Sequence, residues 1–157
     1  MSAAAAEVKT PWYQRRYFIE RVDEEIYRAR RYDLPGSLAI VRSASVSRQG
    51  ARALHGFVES KLRRLDFGGL LGNGDYAICL PHTPKAGAEI LAGRLKEHLA
   101  EFSPTVVCVA FPEDGVTFDE LNEAAAKAWP DGTEADEPRR LTALLRATTS
   151  RRRPRQA

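Results

Sequence analysis

Two apolar runs separated by four turn-forming residues constrain this chain more than any other feature. "DFGGLLG" (66–72) and "DYAICLP" (75–81) meet at Gly72-Asn73-Gly74-Asp75. Asn-Gly between apolar runs is the strongest short hairpin signal, because both residues tolerate the positive φ of a tight connection. The runs are therefore expected to pair as antiparallel strands. Just ahead of the first run stand Arg63 and Asp66, three residues apart.

The flanking segments read as helices and buried strands. Phe18, Val22, Ile26 and Ala29 recur at helical spacing, so a helix is expected from Pro11 to about Tyr32, with Pro11 in its first turn. "DLPG" (33–36) ends it and "SLAIVRS" follows as a buried strand. A second helix is expected over 45–65, with Leu54, Val58, Leu62 and Leu65 on one face and Gly50 and Gly56 weakening it. A third spans 83–102, facing Ala88, Leu91, Leu95, Leu99 and Phe102 inward. "TVVCVAFP" (105–112) is a buried strand, and "TFDELNEAAAKAW" (117–129) is a helix capped by its threonine. "RRLTALLRA" (139–147) reads as a short helix before the end. Helix, strand, helix, hairpin, helix, strand, helix is the order of an α/β sandwich whose central sheet mixes parallel and antiparallel neighbours.

Composition excludes several classes. The 157 residues are 43% hydrophobic and 29% charged, ordinary for a globular protein with a real core. Residues 138–157 hold seven arginines and no acid, and subtracting those seven from the formal net charge of +3 leaves −4 for the rest. The basic balance describes a tail and not a basic face, which argues against a nucleic-acid domain. Cys79 and Cys108 sit inside apolar runs and read as buried thiols in a reducing compartment. No Cys or His spacing suggests a metal, and His55, His82 and His98 read as surface or loop residues. Ser45, Ser47 and Ser60 lack a nucleophile motif, and Trp12 and Trp129 read as core or edge packing. The N-terminus shows no signal-peptide core, and no run approaches the ~20 apolar residues of a membrane span. A cytoplasmic protein without a membrane span is expected.

Four strings carry a resemblance. "YQRRYFIERVDEEIYRARRYDLPGSLAIV", "GNGDYAICLPHT", "VAFPEDG" and "ELNEAAAKAW" occur in this order, and together they resemble the GGDEF domain, the diguanylate cyclase family, over roughly residues 10 to 130. The resemblance implies a GGDEF, nucleotide-cyclase-like sandwich. It divides the chain into a disordered lead (1–10), a degenerate GGDEF-like domain (11–130), and a linker with an arginine-rich tail (131–157).

The departures from the family pattern bear on activity. Active members hold two Mg²⁺ against a triphosphate with carboxylates from the first strand and the signature turn. Here Arg42, Ser43 and Ala44 stand where the family has Asp-x-Asp. Aligned on Tyr76, the turn Gly72-Asn73-Gly74-Asp75 has glycine at the Asp position and Asp75 at the Glu position. The stretch that would carry the guanine-gripping Asn and Asp is shortened, and the phosphate-facing lysine after the last helix is missing. No catalysis, no metal and no cofactor are expected.

Arg63-Arg64-Leu65-Asp66 is an R-x-x-D string five residues ahead of Gly72. In the family, that string at that spacing is the inhibitory site for cyclic di-GMP, and its third element falls, by ungapped alignment, on Arg94. A guanidinium can meet the O6/N7 edge of guanine or a phosphate, and a carboxylate can accept from the opposite guanine edge. The plain alternative is an exposed ion pair at a helix end. The resemblance thus implies a receptor for cyclic di-GMP acting through a protein partner or a ligand-induced homodimer. A degenerate scaffold that binds proteins and no nucleotide is the other reading. The tail could touch nucleic acid, acidic lipid or a partner, or simply be solvated.

Overall fold

Backbone pairing in the computed structural model, which describes residues 12–42, 48–72 and 74–129, gives five strands and four helices along that stretch. They are β1 (Trp12–Tyr13), α1 (Arg15–Tyr32), β2 (Gly36–Arg42), α2 (Arg48–Lys61), β3 (Phe67–Leu70), β4 (Tyr76–Pro81), α3 (Lys85–His98), β5 (Thr105–Phe111) and α4 (Phe118–Ala128), with a 3₁₀ turn at Ala100–Phe102. The strands form one sheet in the order β1-β3-β4-β2-β5. β2 lies between β4 and β5, antiparallel to both, and the β3–β4 hairpin is antiparallel. Only β1, beside β3, pairs parallel. The mixed sheet flanked by helices is the architecture expected.

Side-chain alternation along β2 and β4 separates two packed faces. One carries Ala39, Val41, Ile78 and Leu80 against Leu54, Phe57 and Val58 of α2 and Ala88, Ala92 and Leu95 of α3. On the other, Phe18 of α1 meets Phe67 and Phe118 edge-on, at ring-centroid distances of 5.7 and 6.2 Å. Each fully buried side chain of this size contributes about 1.5–3 kcal/mol. The two glycines of β3 make both layers fit. The Trp12 ring lies over Gly68, where a Cβ would come within 2.6 Å of Cζ3, and the Phe18 ring lies over Gly69, where a Cβ would overlap it.

α4 is anchored at its start. Thr117 Oγ1 accepts the Glu120 N–H at 3.2 Å, the expected threonine cap. Asp23 of α1 accepts the Phe118 N–H at 2.9 Å, so the two helices on this face share a carboxylate.

Three element boundaries differ from expectation. Residues 12–13 are strand and α1 begins at Arg15, because the Trp12–Tyr13 backbone pairs with Gly68–Gly69 instead of coiling. α2 stops at Lys61, and Leu65, expected on its buried face, is 59% exposed in the turn beyond. α3 ends at His98. Leu99 is buried as expected, and Phe102 packs from the 3₁₀ turn.

By compactness the chain divides into residues 1–125, which hold the whole sheet, and 126–157, of which only 126–129 are described: the end of α4 and buried Trp129. The expected lead (1–10), Pro11, Ser43, Ala44, Ser45, Ser47, Asn73, the linker and the tail lie outside the described residues. No helix among the described residues is long and apolar enough to cross a membrane.

Candidate ligand-binding site

The R-x-x-D string forms a closed turn between α2 and β3. The Asp66 N–H donates to the Arg63 carbonyl at 3.0 Å, and Asp66 Oδ2 accepts the Arg63 N–H at 2.9 Å. That reciprocal pair ends the helix, since the Arg63 amide turns to a side-chain acceptor in place of a helical carbonyl. The Asp66 side chain is 4% exposed and that of Arg63 57%. The ion pair is thus half-buried, with its carboxylate sealed inside.

The Arg63 guanidinium is held from three sides. Nε donates to Asp66 Oδ2 at 3.4 Å. Nη2 faces Asp66 Oδ1 at 3.2 Å, the Pro81 carbonyl at 2.9 Å and Thr83 Oγ1 at 2.6 Å. Thr83 is fixed in turn: its hydroxyl donates to the Pro81 carbonyl at 3.2 Å, and its carbonyl accepts from buried Ser37 Oγ at 2.8 Å. Nη1 has no partner among the described residues, so two of the five guanidinium donors remain for a ligand. Pro81, Thr83 and Ser37 escaped sequence reasoning. They lie 18 and 20 residues after Arg63, or on another strand, where no local spacing signals contact.

Arg94 is exposed on α3, and no described hydrogen bond or ion pair links it to Arg63 or Asp66. Helix geometry still relates the two places. The Thr83 methyl sits over Gly87, 2.8 Å from where a Cβ would be. Arg94 is seven residues further along the same stripe of α3, a rise of about 10 Å. A molecule reaching from Arg63 to Arg94 would therefore lie along that stripe.

The signature turn folds as a hairpin, with the Leu71 N–H donating to the Asp75 carbonyl at 3.0 Å. Gly72 and Gly74 take φ of +82° and +93°, where a side chain would be strained. Arg15, first in α1, donates from Nε to the Leu71 carbonyl at 3.0 Å and steadies the turn. Asp75 is 1% exposed. β2 and β4 pair as far as Val41 with Tyr76, so the next step of that register sets Arg42 opposite Asp75. Arg42 is itself buried, at 6% exposure. A buried guanidinium one register step from the hairpin acid places positive charge beside it, which disfavours a divalent cation there. Among the described residues no group of three His, Cys, Asp or Glu side chains is placed to hold a metal.

Both thiols lie in the sheet. Burial pushes the Cys79 thiol well above its ordinary value, with Glu25 and Asp66 adding to the shift. Burial pushes Cys108 up to about 12, with Glu89 contributing. Both are protonated near neutral pH and are poor nucleophiles.

No protein-family model matches the chain, and neither does any curated protein. Solved structures do. A diguanylate cyclase protein from Thermotoga maritima superposes with a TM-score of 0.64 at 18% identity, over 75% of this chain and 95% of that one. A sensory box/GGDEF family protein from Caulobacter crescentus gives 0.62 at 19% identity, over 77% and 92%. A microbial GGDEF domain described for its interaction with bis-(3′,5′)-cyclic di-GMP gives 0.58 at 22% identity, over 74% and 84%. The chain therefore has the GGDEF, nucleotide-cyclase-like fold.

Proposed function

We propose that this chain is a non-catalytic cytoplasmic receptor for cyclic di-GMP, holding the dinucleotide through Arg63 and Asp66 with Arg94 as the further cation. The observation that carries the reading is the prefixed Arg63 guanidinium. It is oriented by Asp66, Pro81 and Thr83, and its Nη1 is left to donate. A pre-oriented guanidinium binds a phosphate or guanine edge at lower entropic cost than a mobile one. The c-di-GMP interaction described for a GGDEF domain of the same fold supports the ligand class. Buried Arg42 and Asp75 support the loss of cyclase chemistry. The output would be pairing of two copies or contact with a protein partner.

Calorimetry of the purified chain with cyclic di-GMP tests this. Saturable heat with a Kd in the range of roughly tens of micromolar or tighter supports it, and no heat sinks it. Incubation with GTP and Mg²⁺ or Mn²⁺ should give no cyclic dinucleotide; steady product would overturn the non-catalytic half.

One observation favours a second reading, a protein-binding scaffold without nucleotide. Three of the five Arg63 donors are already satisfied within the chain, so the residue has a structural reason to be there. In that reading Arg94→Ala changes no ligand affinity, because there is none to change.

A further inference from the structure

A second site lies at the opposite end of α2, about 20 Å from the R-x-x-D turn by helix rise. There a cavity of about 450 Å³ opens beside the root of the hairpin, within the range of small-molecule pockets. Its apolar wall is Trp12, Leu70 and Tyr76. The Trp12 and Tyr76 rings are 4.9 Å apart and tilted by 50°, and Leu70 is the cross-strand partner of Tyr76. Its polar wall is Arg48, Arg52 and His55 on α2. These recur at i, i+4 and i+7 and so stand in one row along the helix.

The charge pattern is the unusual part. Among the described residues no acid lines the cavity, and neither arginine has a hydrogen-bond or ion-pair partner. Two like charges one turn apart repel and weaken the helix that carries them. His55 is held at the far end of the row by Glu59, at 3.1 Å. An aromatic wall beside two guanidinium groups that have no acidic partner among the described residues is complementary to one ligand class: a flat ring that bears an acidic group. The ring would lie on Trp12 and Tyr76, and the acidic oxygens would meet the planar forks of Arg48 and Arg52. We propose that this cavity binds a small aromatic anion, an aryl carboxylate or aryl phosphate. The inference stands apart from the dinucleotide reading, which rests on residues at the other end of α2.

The test is a two-dimensional NMR titration of the full chain, following the Trp12 indole N–H and the amides of residues 48–55. The probes are phenyl phosphate and benzoate, with benzyl alcohol as ring without charge and inorganic phosphate as charge without ring. The expected result is saturable shifts with a Kd of roughly 1 mM or below for at least one anionic probe. Both control compounds should bind about tenfold more weakly or worse, and so should the anionic probe to the Arg48→Glu/Arg52→Glu double variant. The double variant should melt normally, since both side chains are exposed. The relative strength of the two anionic probes separates phosphate from carboxylate ligands. Shifts that fail to saturate, equal binding of benzyl alcohol, equal binding by the double variant, or shifts centred on residues 63–66 would each overturn the proposal.

Discussion

Asp66 binds Arg63 through both backbone and side chain: its N–H donates to the Arg63 carbonyl at 3.0 Å, while its carboxylate accepts from the Arg63 N–H at 2.9 Å and from the guanidinium. The carboxylate is sealed, so its partners matter for folding as well as for any ligand. Asp66→Ala leaves the Arg63 amide and guanidinium Nε without their acceptor, while Nη2 keeps Pro81 and Thr83, and should lower stability by about 1–3 kcal/mol. Arg63→Ala should cost less, about 1 kcal/mol, since Asp66 keeps the backbone N–H. Urea titrations followed by circular dichroism measure both. An unchanged midpoint for Asp66→Ala would mean that the turn contributes nothing to the fold.

Affinity separates ligand chemistry from loop chemistry. Each charge-assisted bond lost at Arg63 should cost about 1.5–3 kcal/mol, so Arg63→Ala should weaken cyclic di-GMP binding roughly ten- to a hundredfold. Arg63→Lys should recover little, because an ammonium cannot hold Asp66, Pro81 and Thr83 while presenting a planar edge outward. Arg94→Ala is the cleaner variant, being exposed with no described partner. It should weaken binding about tenfold with an unaltered melt. Calorimetry on the three variants beside thermal melts decides the matter.

The glycines predict opposite signs at two positions. A Cβ at Gly69 would overlap the base of the Phe18 ring, which is 0% exposed and cannot swing aside. Gly69→Ala should therefore destabilise by about 1–3 kcal/mol. Gly56 lies in α2 with nothing within 4 Å of its would-be Cβ. Gly56→Ala should stabilise by about 0.5–1 kcal/mol through lower unfolded-chain entropy and better helix propensity. Denaturant midpoints of the pair check both signs at once.

The buried thiols make stability fall in alkaline solution. Both have folded pKa values raised above the ordinary 9.0, so their contribution is intact below that pH. It is lost as pH rises from 9.0 toward the Cys108 value of about 12, because the unfolded chain ionises first and holds fewer protons. Cys108→Val should flatten the decline in unfolding free energy between about pH 9 and 11 relative to the parent chain. At neutral pH a thiol reagent should label neither cysteine until denaturant is added. Rapid labelling of the native chain would contradict the burial.

The hairpin, the order of elements and the helix faces were legible because each rests on local pattern. Gly72 and Gly74 need positive φ, and Phe18, Val22, Ile26 and Ala29 repeat at helical spacing into one buried stripe. β1 was not legible. Two residues carry no periodicity, and the sole hint was the Gly68-Gly69 pair, bare positions that two aromatic rings from elsewhere must cover. Leu65 misled because periodicity continues past the residue where Asp66 ends the helix. The turn Arg63–Asp66 was readable as a candidate, but the clamp by Pro81 and Thr83 joins positions brought together only by β4 pairing with its neighbours. The cavity at Arg48 and Arg52 lies between a helix and a strand edge that the sequence did not announce.

The seat of Trp12 on Gly68 ties two distant codons together. The two residues face each other across β1 and β3, and the ring occupies the volume a side chain at 68 would need. A lineage that acquires any side chain at position 68 must first surrender the indole at 12, and one that trims the indole opens a void that invites a larger residue at 68. Neither change is neutral alone, so the pair should be inherited, or replaced, as a unit.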